Sequence, residues 1–423
     1  MGGGFAGTAV AQRLERRLRP DEADIVLLSR ENYTLFTPML PEVTSGELEV
    51  RHIVTPIRAQ LSRTAFVLAE AFEIDVERRR VAYRHMLTGI TVELVYDQLV
   101  LAVGSSTSTF GLPGVAENVW ALKTLDDADA LRNHLVWLLE LADTIADDRR
   151  RGELLTVVVV GGGFTGVEAA GEIFELFRSV LRYYHRLRLG DVRMILVEGG
   201  ATLLPGLPPK MGEYSRRVLE RRGIEVLTGD VVKSADERGL TLGSGRRIDS
   251  ATVIWSAGVA PSQSVAKTAL PKTRRGAVVT GPDMRVAEFP NVWALGDCAS
   301  IPDGKGGTFP MTAQHAIREG PHLADNLVRV LRGEATRPFR YDSLGMMAAL
   351  GGRKAVAQLP GDRVITGFIA WFLWRTYYLL RLPGLDRRLR VAFDWTLELL
   401  FPRDISELRV DTESATAGRE PRP

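Results

Sequence analysis

Short apolar runs alternate with segments of helical periodicity along most of the chain, a pattern typical of α/β proteins with parallel sheets. The clearest case runs from Leu154 to Phe174, LLTVVVVGGGFTGVEAAGEIF. Its β-branched start predicts a buried parallel strand, its glycines a tight turn, and its remainder an amphipathic helix. A second strand, VRMILVEGG, follows and ends in Glu198. The pattern therefore predicts a βαβ unit.

The glycines between this strand and helix fit the motif G-x-G-x-x-G. In that motif the first glycine allows a sharp turn, the second lets a pyrophosphate approach the backbone, and the third lets helix and strand pack closely. Glu198 lies where an acid meets the ribose 2′-hydroxyl of a dinucleotide, and its charge would repel a 2′-phosphate. The sequence predicts an NADH site, with NADPH less favoured, formed by Gly161, Gly163, Phe164, Thr165, Gly166, Glu198 and the later strand-end glycine Gly258.

The same motif occurs a second time, as GGGFAG at the N-terminus. Two dinucleotide motifs in one chain favour a flavoprotein in which one unit holds FAD and the other holds the nicotinamide nucleotide that reduces it. Asp297 follows a strand and Gly296, and its carboxylate is placed to accept a ribityl hydroxyl. An acid is missing from the ribose position of this first unit. The residues expected to bind FAD are Gly2, Gly4, Phe5, Ala6, Gly7, Arg30, Gly104, Gly296 and Asp297.

A strand normally precedes the first glycine of such a unit, but Met1 stands where the second copy has Val160. One hypothesis is that the start site is assigned too far downstream and that the native protein carries further apolar residues. Mass spectrometry of the native N-terminus would test it. Other parts of the pattern predict a helix from Val50 to Gln60 and a meander of strands over residues 64–100.

Composition excludes several classes of protein. A charged fraction of 25% and a hydrophobic fraction of 45% are ordinary for a globular chain, and a net charge of +2 gives no indication of nucleic-acid binding. The single cysteine, Cys298, excludes a disulfide framework and a CxxC redox pair. The six histidines form no HExxH motif or Cys/His cluster, so no metal site is expected.

Large apolar and aromatic residues are concentrated between Val364 and Phe401, with arginines among and after them. We expect two amphipathic helices here, Val364 to Leu382 and Leu389 to Phe401, lying in the headgroup layer of a membrane rather than crossing it. The alternative is a buried interdomain or dimer helix, so a homodimer is left open. The polar tail, residues 411–423, is expected to be disordered.

Taken together, GGGFAG, NYTLFTPMLPE, GGGFTGVEAAGE, NVWALGDCA and TAQHAIREG resemble the type II, non-proton-pumping NADH:quinone oxidoreductases. The resemblance implies that Ala313 and Gln314 lie beside the flavin and the quinone ring. Arg318 stands where that family usually has a second quinone-site glutamine. The resemblance also implies a catalytic role near nicotinamide and quinone for Glu168, whose alternative is an acid favoured in the first turn of a helix.

The predicted fold class is therefore α/β, with two Rossmann-type dinucleotide-binding domains, for FAD and NADH, and a C-terminal membrane-association region of amphipathic helices. The expected boundaries are residues 1–112 and 263–332 for the FAD domain, 113–262 for the NADH domain, and 333–410 for the C-terminal region. The expected location is the cytoplasmic side of the cell membrane, peripherally bound.

The resemblance implies hydride transfer from NADH to FAD and then two-electron reduction of a quinone. Three alternatives stay open at this point: a sulfide:quinone oxidoreductase, which resembles the chain at both ends but works through paired cysteines; a soluble reductase of a ferredoxin-like or disulfide partner; and a flavin-bearing redox-sensing interaction protein.

Overall fold

The computed structural model describes residues 1–361 and 363–406, and the tail expected to be disordered lies outside the described residues. The helices are α1 (Phe5–Arg17), α2 (Leu40–Thr44), α3 (Ile57–Gln60), α4 (Val115–Asn118), α5 (Leu125–Thr144), α6 (Asp148–Leu154), α7 (Phe164–Val180), α8 (Pro209–Arg221), α9 (Ala313–Leu331), α10 (Gly367–Arg381) and α11 (Leu385–Leu400). Together with the sheets described below, they confirm the predicted α/β fold class.

The strands are β1 (Val26–Ser29), β2 (Tyr33–Leu35), β3 (Val54–Pro56), β4 (Ala65–Asp75), β5 (Arg80–His85), β6 (Thr91–Val95), β7 (Leu99–Leu101), β8 (Ser105–Thr107), β9 (Trp120–Ala121), β10 (Thr156–Val160), β11 (Arg193–Glu198), β12 (Ile224–Thr228), β13 (Val232–Asp236), β14 (Gly239–Leu242), β15 (Arg247–Asp249), β16 (Thr252–Trp255), β17 (Val259–Pro261), β18 (Val278–Val279), β19 (Arg285–Val286), β20 (Phe289–Ala294), β21 (Ala299–Ser300), β22 (Met346–Ala349), β23 (Ala355–Leu359) and β24 (Arg363–Thr366).

The second glycine motif lies in a five-stranded sheet of order β12-β11-β10-β16-β9, in which every neighbouring pair is parallel. Every residue of β10 is buried, as expected for a central strand covered on both faces. The chain leaves β10 through Gly161, forms α7 and returns as β11. The predicted βαβ unit is therefore present.

The first glycine motif lies between two smaller sheets. One has the order β1-β4-β5-β6 and the other β19-β20-β7. The N-terminal nitrogen of Met1 donates to Val100 O at 2.7 Å, Ala102 N donates to Met1 O at 2.9 Å, and Gly2 N donates to Leu28 O at 2.8 Å. Residues 1 and 2 thus lie between β1 and β7, as the end of β10 lies between β11 and β16.

Two antiparallel segments connect the sheets. β8 pairs with β17, with Ser105 opposite Pro261, so the outgoing and returning chain run side by side. This pairing brings Gly104, at the end of the first sheet, close to the chain that returns from the second sheet, since Ser262 N donates to Gly104 O at 3.0 Å.

The C-terminal region consists of the antiparallel sheet β22-β23-β24 followed by α10 and α11. The predicted start of the first amphipathic helix was wrong: Val364 and Ile365 belong to β24, where they pair with Gln358 and Ala357 of β23. β-Branched residues suit a strand, and Gly367, with φ +75°, marks the turn into α10. The second helix begins at Leu385, earlier than the expected Leu389.

The helix predicted over Val50 to Gln60 was also wrong. A 3₁₀ turn (Val50–Ile53), β3 and the short α3 occupy this stretch. Proline lacks an N–H and clashes with the preceding turn, so Pro56 breaks the helical pattern there. Within the described part of the chain, every helix is too short or too polar to span a bilayer.

Candidate functional site

The two glycine turns have the same backbone shape. Gly2 and Gly161 adopt φ of +99° and +108°, the left-handed region that only glycine enters without strain. A Cβ added to Gly7 would lie 1.9 Å from Gly2 O, and one added to Gly166 would lie 1.8 Å from Gly161 O. Both turns therefore require glycine at these positions to bring helix and strand together.

Each turn opens onto free space at its middle glycine. A Cβ added to Gly4 or Gly163 would have no atom within 4 Å. These glycines are the N-caps of α1 and α7, and neither has a side chain that caps the helix. The backbone N–H groups at both helix starts are left for a ligand, as a bound pyrophosphate needs. Both sites fit a dinucleotide.

Glu198 lies against the second turn. Its Oε2 accepts from Gly162 N at 2.6 Å, and its Oε1 accepts from Gly200 N at 2.6 Å. At the first turn the equivalent neighbour is Ser29, whose Oγ lies 2.6 Å from a Cβ added to Gly3. Arg30 lies further out, exposed, with its guanidinium 3.7 Å from Glu70. The acid is thus missing from the first site only.

The remaining predicted residues of the turns are distributed between core and surface. Ala6 is buried in α1, Phe164 packs partly buried against the core, and Thr165 is exposed at the start of α7. Gly258 faces the ring of Phe110, because a Cβ there would lie 2.5 Å from Phe110 Cζ. Phe5 contacts Phe36 edge to face, with ring centroids 5.8 Å apart.

Asp297 lies in the 3₁₀ turn Gly296–Cys298 that follows β20. Its Oδ2 accepts from Ser105 Oγ at 2.6 Å. Gly296 has φ +68°, and its N–H donates to Glu319 Oε2 at 2.7 Å. Burial raises the pKa of Glu319 to about 7. The backbone N–H of Gly296 and the side chain of Asp297 are therefore each held by a hydrogen bond.

Sequence reasoning missed Lys123, whose Nζ donates to Ser105 Oγ at 2.8 Å and lies 3.8 Å from Asp297 Oδ2. It missed Glu319 as well, although that residue is part of the quoted TAQHAIREG motif. The signal that could have drawn attention to Lys123 is its place directly before a capping box formed by Thr124 and Asp127. A cation beside a helix N-terminus is unusual.

Gln314 lies at the start of α9, directly after Ala313. Its Nε2 donates to Ser343 Oγ at 2.9 Å, and its backbone carbonyl oxygen accepts from Arg318 Nη1 at 2.7 Å. The guanidinium of Arg318 stacks over the Tyr341 ring at 4.5 Å from the centroid. Gln314 and Arg318 are thus brought together, against the segment that leads into β22.

Glu168 lies in α7 near the other end of β22. Its Oε1 accepts from Ala349 N at 3.1 Å and from Trp374 Nε1 of α10 at 3.2 Å. Burial raises the pKa of Glu168 to about 8. Glu168 thus contacts the last residue of β22 and α10, whereas Gln314 contacts the segment that precedes β22.

Aromatic rings connect the first glycine turn with Glu168. Phe36, which contacts Phe5, lies 6.0 Å from the ring of Tyr378, and Tyr378 lies 4.9 Å from Trp374. Trp374 is the donor to Glu168. A chain of aromatic contacts thus runs from the expected flavin site to the buried carboxyl of Glu168.

Two buried arginines pair with carboxylates beside the C-terminal helices. Arg403, after α11, bonds Glu47 and Glu172 at 3.0 and 2.9 Å, and Arg375 of α10 bonds Glu47 at 2.9 Å. Arg375 also stacks between Trp371 and Trp395, and its side chain is largely buried. Arg375 and Arg403 thus supply positive charges to the carboxylates of Glu47 and Glu172, which lie much earlier in the chain.

Cys298 is buried, and burial raises the pKa of its thiol to about 11, which disfavours the reactive thiolate. Among the described residues, no group of acids, histidines and cysteine is arranged to hold a metal ion.

Residues 1–320 match the pyridine nucleotide-disulphide oxidoreductase family, and residues 344–404 match the NDH2 C-terminal domain. The type II NADH:quinone oxidoreductase Ndh of Mycobacterium tuberculosis is 33% identical over 418 residues, covering 95% of this chain and 88% of the relative. The mitochondrial internal alternative NAD(P)H-ubiquinone oxidoreductase A1 of Arabidopsis thaliana is 32% identical, covering 96% of this chain and 85% of the relative.

Two solved structures have similar folds. NDH2 of Plasmodium falciparum in complex with NADH superposes with a TM-score of 0.88 at 21% identity, covering 96% of this chain and 98% of that one. The sulfide:quinone oxidoreductase of Aquifex aeolicus gives a TM-score of 0.70 at 20% identity, covering 99% and 98%.

Proposed function

This chain belongs to the type II NADH:quinone oxidoreductases, and we propose that it transfers hydride from NADH to FAD and then two electrons to a quinone at a membrane surface, without pumping protons. The observation that carries the proposal is the pair of matched glycine turns, each with an uncapped helix start and open space at its middle glycine. Two such sites in one chain accommodate the two dinucleotides that this reaction requires.

The residues divide between the two nucleotides. The N-terminal turn, with Asp297 and the start of α9 at Ala313, would hold FAD, which supplies the redox chemistry when bound. The second turn, with Gly163 and Glu198, would hold NADH. The protein's part is to bind both groups in a fixed relation and to place donor and acceptor side by side.

Gln314 and Arg318 are proposed to contact the quinone. Both lie on one face of α9 beside Tyr341 and Ser343, so a polar ring substituent could bond the amide while the guanidinium provides positive charge. Glu168, beside the last residue of β22, is proposed as the proton-donating group, because burial keeps its carboxyl protonated near neutral pH.

Membrane contact is proposed through the C-terminal helices. α10 and α11 bury one face against the rest of the protein and leave a set of large apolar side chains exposed: Phe368, Ile369, Phe372, Leu380, Leu385, Leu389, Phe393, Leu397, Leu399 and Leu400. Such a surface suits the headgroup region of a bilayer. The cytoplasmic side and a homodimer stay predictions, as do the domain boundaries at residues 112, 262 and 332.

The alternative as a sulfide:quinone oxidoreductase is disfavoured, since that chemistry needs paired cysteines and this chain has only Cys298. The same count disfavours reduction of a disulfide partner. A redox-sensing protein would be reduced by NADH but would not turn over a quinone.

The deciding experiment follows flavin absorbance while the purified protein is mixed with NADH and then with a short-chain quinone. We expect rapid bleaching by NADH and rapid reoxidation by the quinone. A flavin that bleaches but ignores quinone would move the acceptor to another partner. Protein without flavin would contradict the proposal, and oxidation of sulfide would favour the sulfide alternative.

Gly163→Ala tests the NADH site. The new methyl group meets no protein atom within 4 Å, so folding should be unaffected, but it fills the space proposed for the pyrophosphate. We expect the KM for NADH to rise about tenfold or more, with an unchanged melting temperature. Gly152→Ala is the matched control, since a Cβ there also meets nothing within 4 Å but Gly152 lies outside both turns. Equal KM values in the two variants would contradict the assignment.

Glu198→Gln tests nucleotide preference. The amide keeps the shape of the side chain and removes the charge that would repel a 2′-phosphate. We expect the ratio of kcat/KM for NADH over that for NADPH to fall about tenfold. Glu225→Gln, on the neighbouring strand β12, is the control, because its carboxylate pairs with Arg193 and Arg246 instead of a glycine turn. An unchanged ratio for Glu198→Gln would place the ribose elsewhere.

A further inference from the structure

Three segments distant in sequence meet at Asp297. Ser105, at the start of β8, donates to its carboxylate at 2.6 Å. Lys123, in the loop before α5, donates to Ser105 Oγ at 2.8 Å, and its Nζ lies 3.8 Å from Asp297 Oδ2. The lysine, the serine and the aspartate therefore form one network, which combines a charge pair with two hydrogen bonds.

We propose that Lys123 is a positioning residue for FAD, which balances the charge of Asp297 and orients its carboxylate toward the cofactor. The inference rests on the proposed function, because Asp297 is the residue proposed to accept a ribityl hydroxyl. Lys123 is not required to touch FAD. It acts through Ser105 and Asp297, both of which it faces directly.

The place of Lys123 at a helix start directs its side chain to Asp297. The lysine directly precedes the N-cap Thr124 of α5, where the helix dipole is positive and repels a cation. Its backbone N–H is fixed by Asp127 Oδ2 at 3.0 Å, so the side chain leaves the helix start in a set direction. That direction leads to Asp297, and the Lys123 side chain is only 33% exposed. Asp297 provides the compensating charge.

The network also lies where the chain crosses between the two nucleotide units. Ser105 pairs with Pro261 of β17, the returning crossover. Lys123 itself comes from residues 113–262, proposed to bind NADH, whereas Asp297 belongs to the part proposed to bind FAD. Glu319 holds the N–H of Gly296, and Lys123 with Ser105 holds the side chain of the next residue, Asp297. Losing it should loosen FAD more than it loosens the fold.

The experiment compares Lys123→Met, Lys123→Arg and wild type as purified holoproteins. The rate of FAD release is followed by the rise in flavin fluorescence, and melting temperatures are measured with and without added FAD. We expect Lys123→Met to release FAD about tenfold faster, in line with the loss of a charged hydrogen bond. Lys123→Arg, which keeps the charge, should stay within about threefold of wild type. Lys305→Met is the control, a 75% exposed lysine paired with Asp342.

The outcomes separate this inference from the proposed function. Wild type that carries no FAD contradicts the proposed function itself. Wild type and Lys123→Met that retain FAD equally overturn the role of Lys123. A melting temperature that falls by the same amount with and without FAD would limit Lys123 to holding α5 and would also overturn it. A smaller FAD-induced rise in melting temperature for Lys123→Met alone supports it.

Discussion

Replacing Arg403 with methionine is expected to destabilise the protein by about 3–5 kcal/mol, because a buried ion pair that loses one partner leaves an uncompensated charge. The Arg403 side chain is only 2% exposed and lies 3.0 Å from Glu47 and 2.9 Å from Glu172. It also donates to Glu172 O at 2.9 Å. Thermal unfolding followed by circular dichroism should show a melting temperature about 3–6 °C lower.

Two further variants make this expectation specific. Arg19→Met removes an arginine that is 71% exposed and paired with Asp21, and it should leave the melting temperature almost unchanged. The double variant Arg403→Met with Glu172→Gln should recover part of the loss, since the second change removes one of the stranded charges. If Arg403→Met alone is as stable as wild type, Arg403 does not hold the C-terminal segment on the protein.

The parts of the fold that sequence predicted are those that depend on neighbours along the chain. The run before Gly161 became a fully buried parallel strand, and the glycine spacing gave two turns of equal shape. Glu198 could be placed because the length of a βαβ unit fixes where its second strand ends. Two predictions from local pattern were wrong. Pro56 interrupts the helix predicted over Val50 to Gln60, and Val364 belongs to a sheet whose other strands lie earlier in the chain.

The charge networks could not be predicted, because each joins residues from separate parts of the fold. Lys123 contacts Ser105 and lies close to Asp297 only because the fold brings three separate segments together. Arg375 lies between two tryptophan rings and bonds Glu47, neither of which its place in an apolar run indicates. A sequence shows that such a residue is charged, but only the fold shows which opposite charge it meets.

α7 connects these features. Its first turn is the proposed NADH site, its second turn carries Glu168, and Glu172 one turn later bonds the buried arginine of the C-terminal segment. A rigid helix thus links the nucleotide turn to the helices proposed to meet the membrane. Changes in α7 should therefore affect chemistry and stability separately, according to which carboxyl is removed.

Glu168→Gln is expected to slow reoxidation of the reduced enzyme by quinone about 100-fold. Reduction of a quinone to a quinol consumes two electrons and two protons, and hydride from NADH brings only one proton. Burial raises the pKa of Glu168 to about 8, so at pH 7 its carboxyl carries a proton that it can give. Wild-type reoxidation should fall as the pH rises through about 8, whereas the variant should be slow and nearly independent of pH. Stopped-flow absorbance separates this step from bleaching by NADH, which should change less than about threefold.

Stability provides an independent check on the same carboxyl. A folded-state pKa of about 8 against a usual 4.5 means that the folded protein binds this proton more tightly than the unfolded chain. The contribution of Glu168 to the free energy of unfolding is therefore largest below pH 4.5 and is lost as the pH rises to about 8. In Glu168→Gln the free energy of unfolding should fall less between pH 4.5 and about 8 than it does in wild type. Glu175→Gln, on the same helix but paired with Arg222, should lower stability without changing the pH profile of reoxidation. A pH profile in Glu168→Gln that matches wild type would assign the proton to another group.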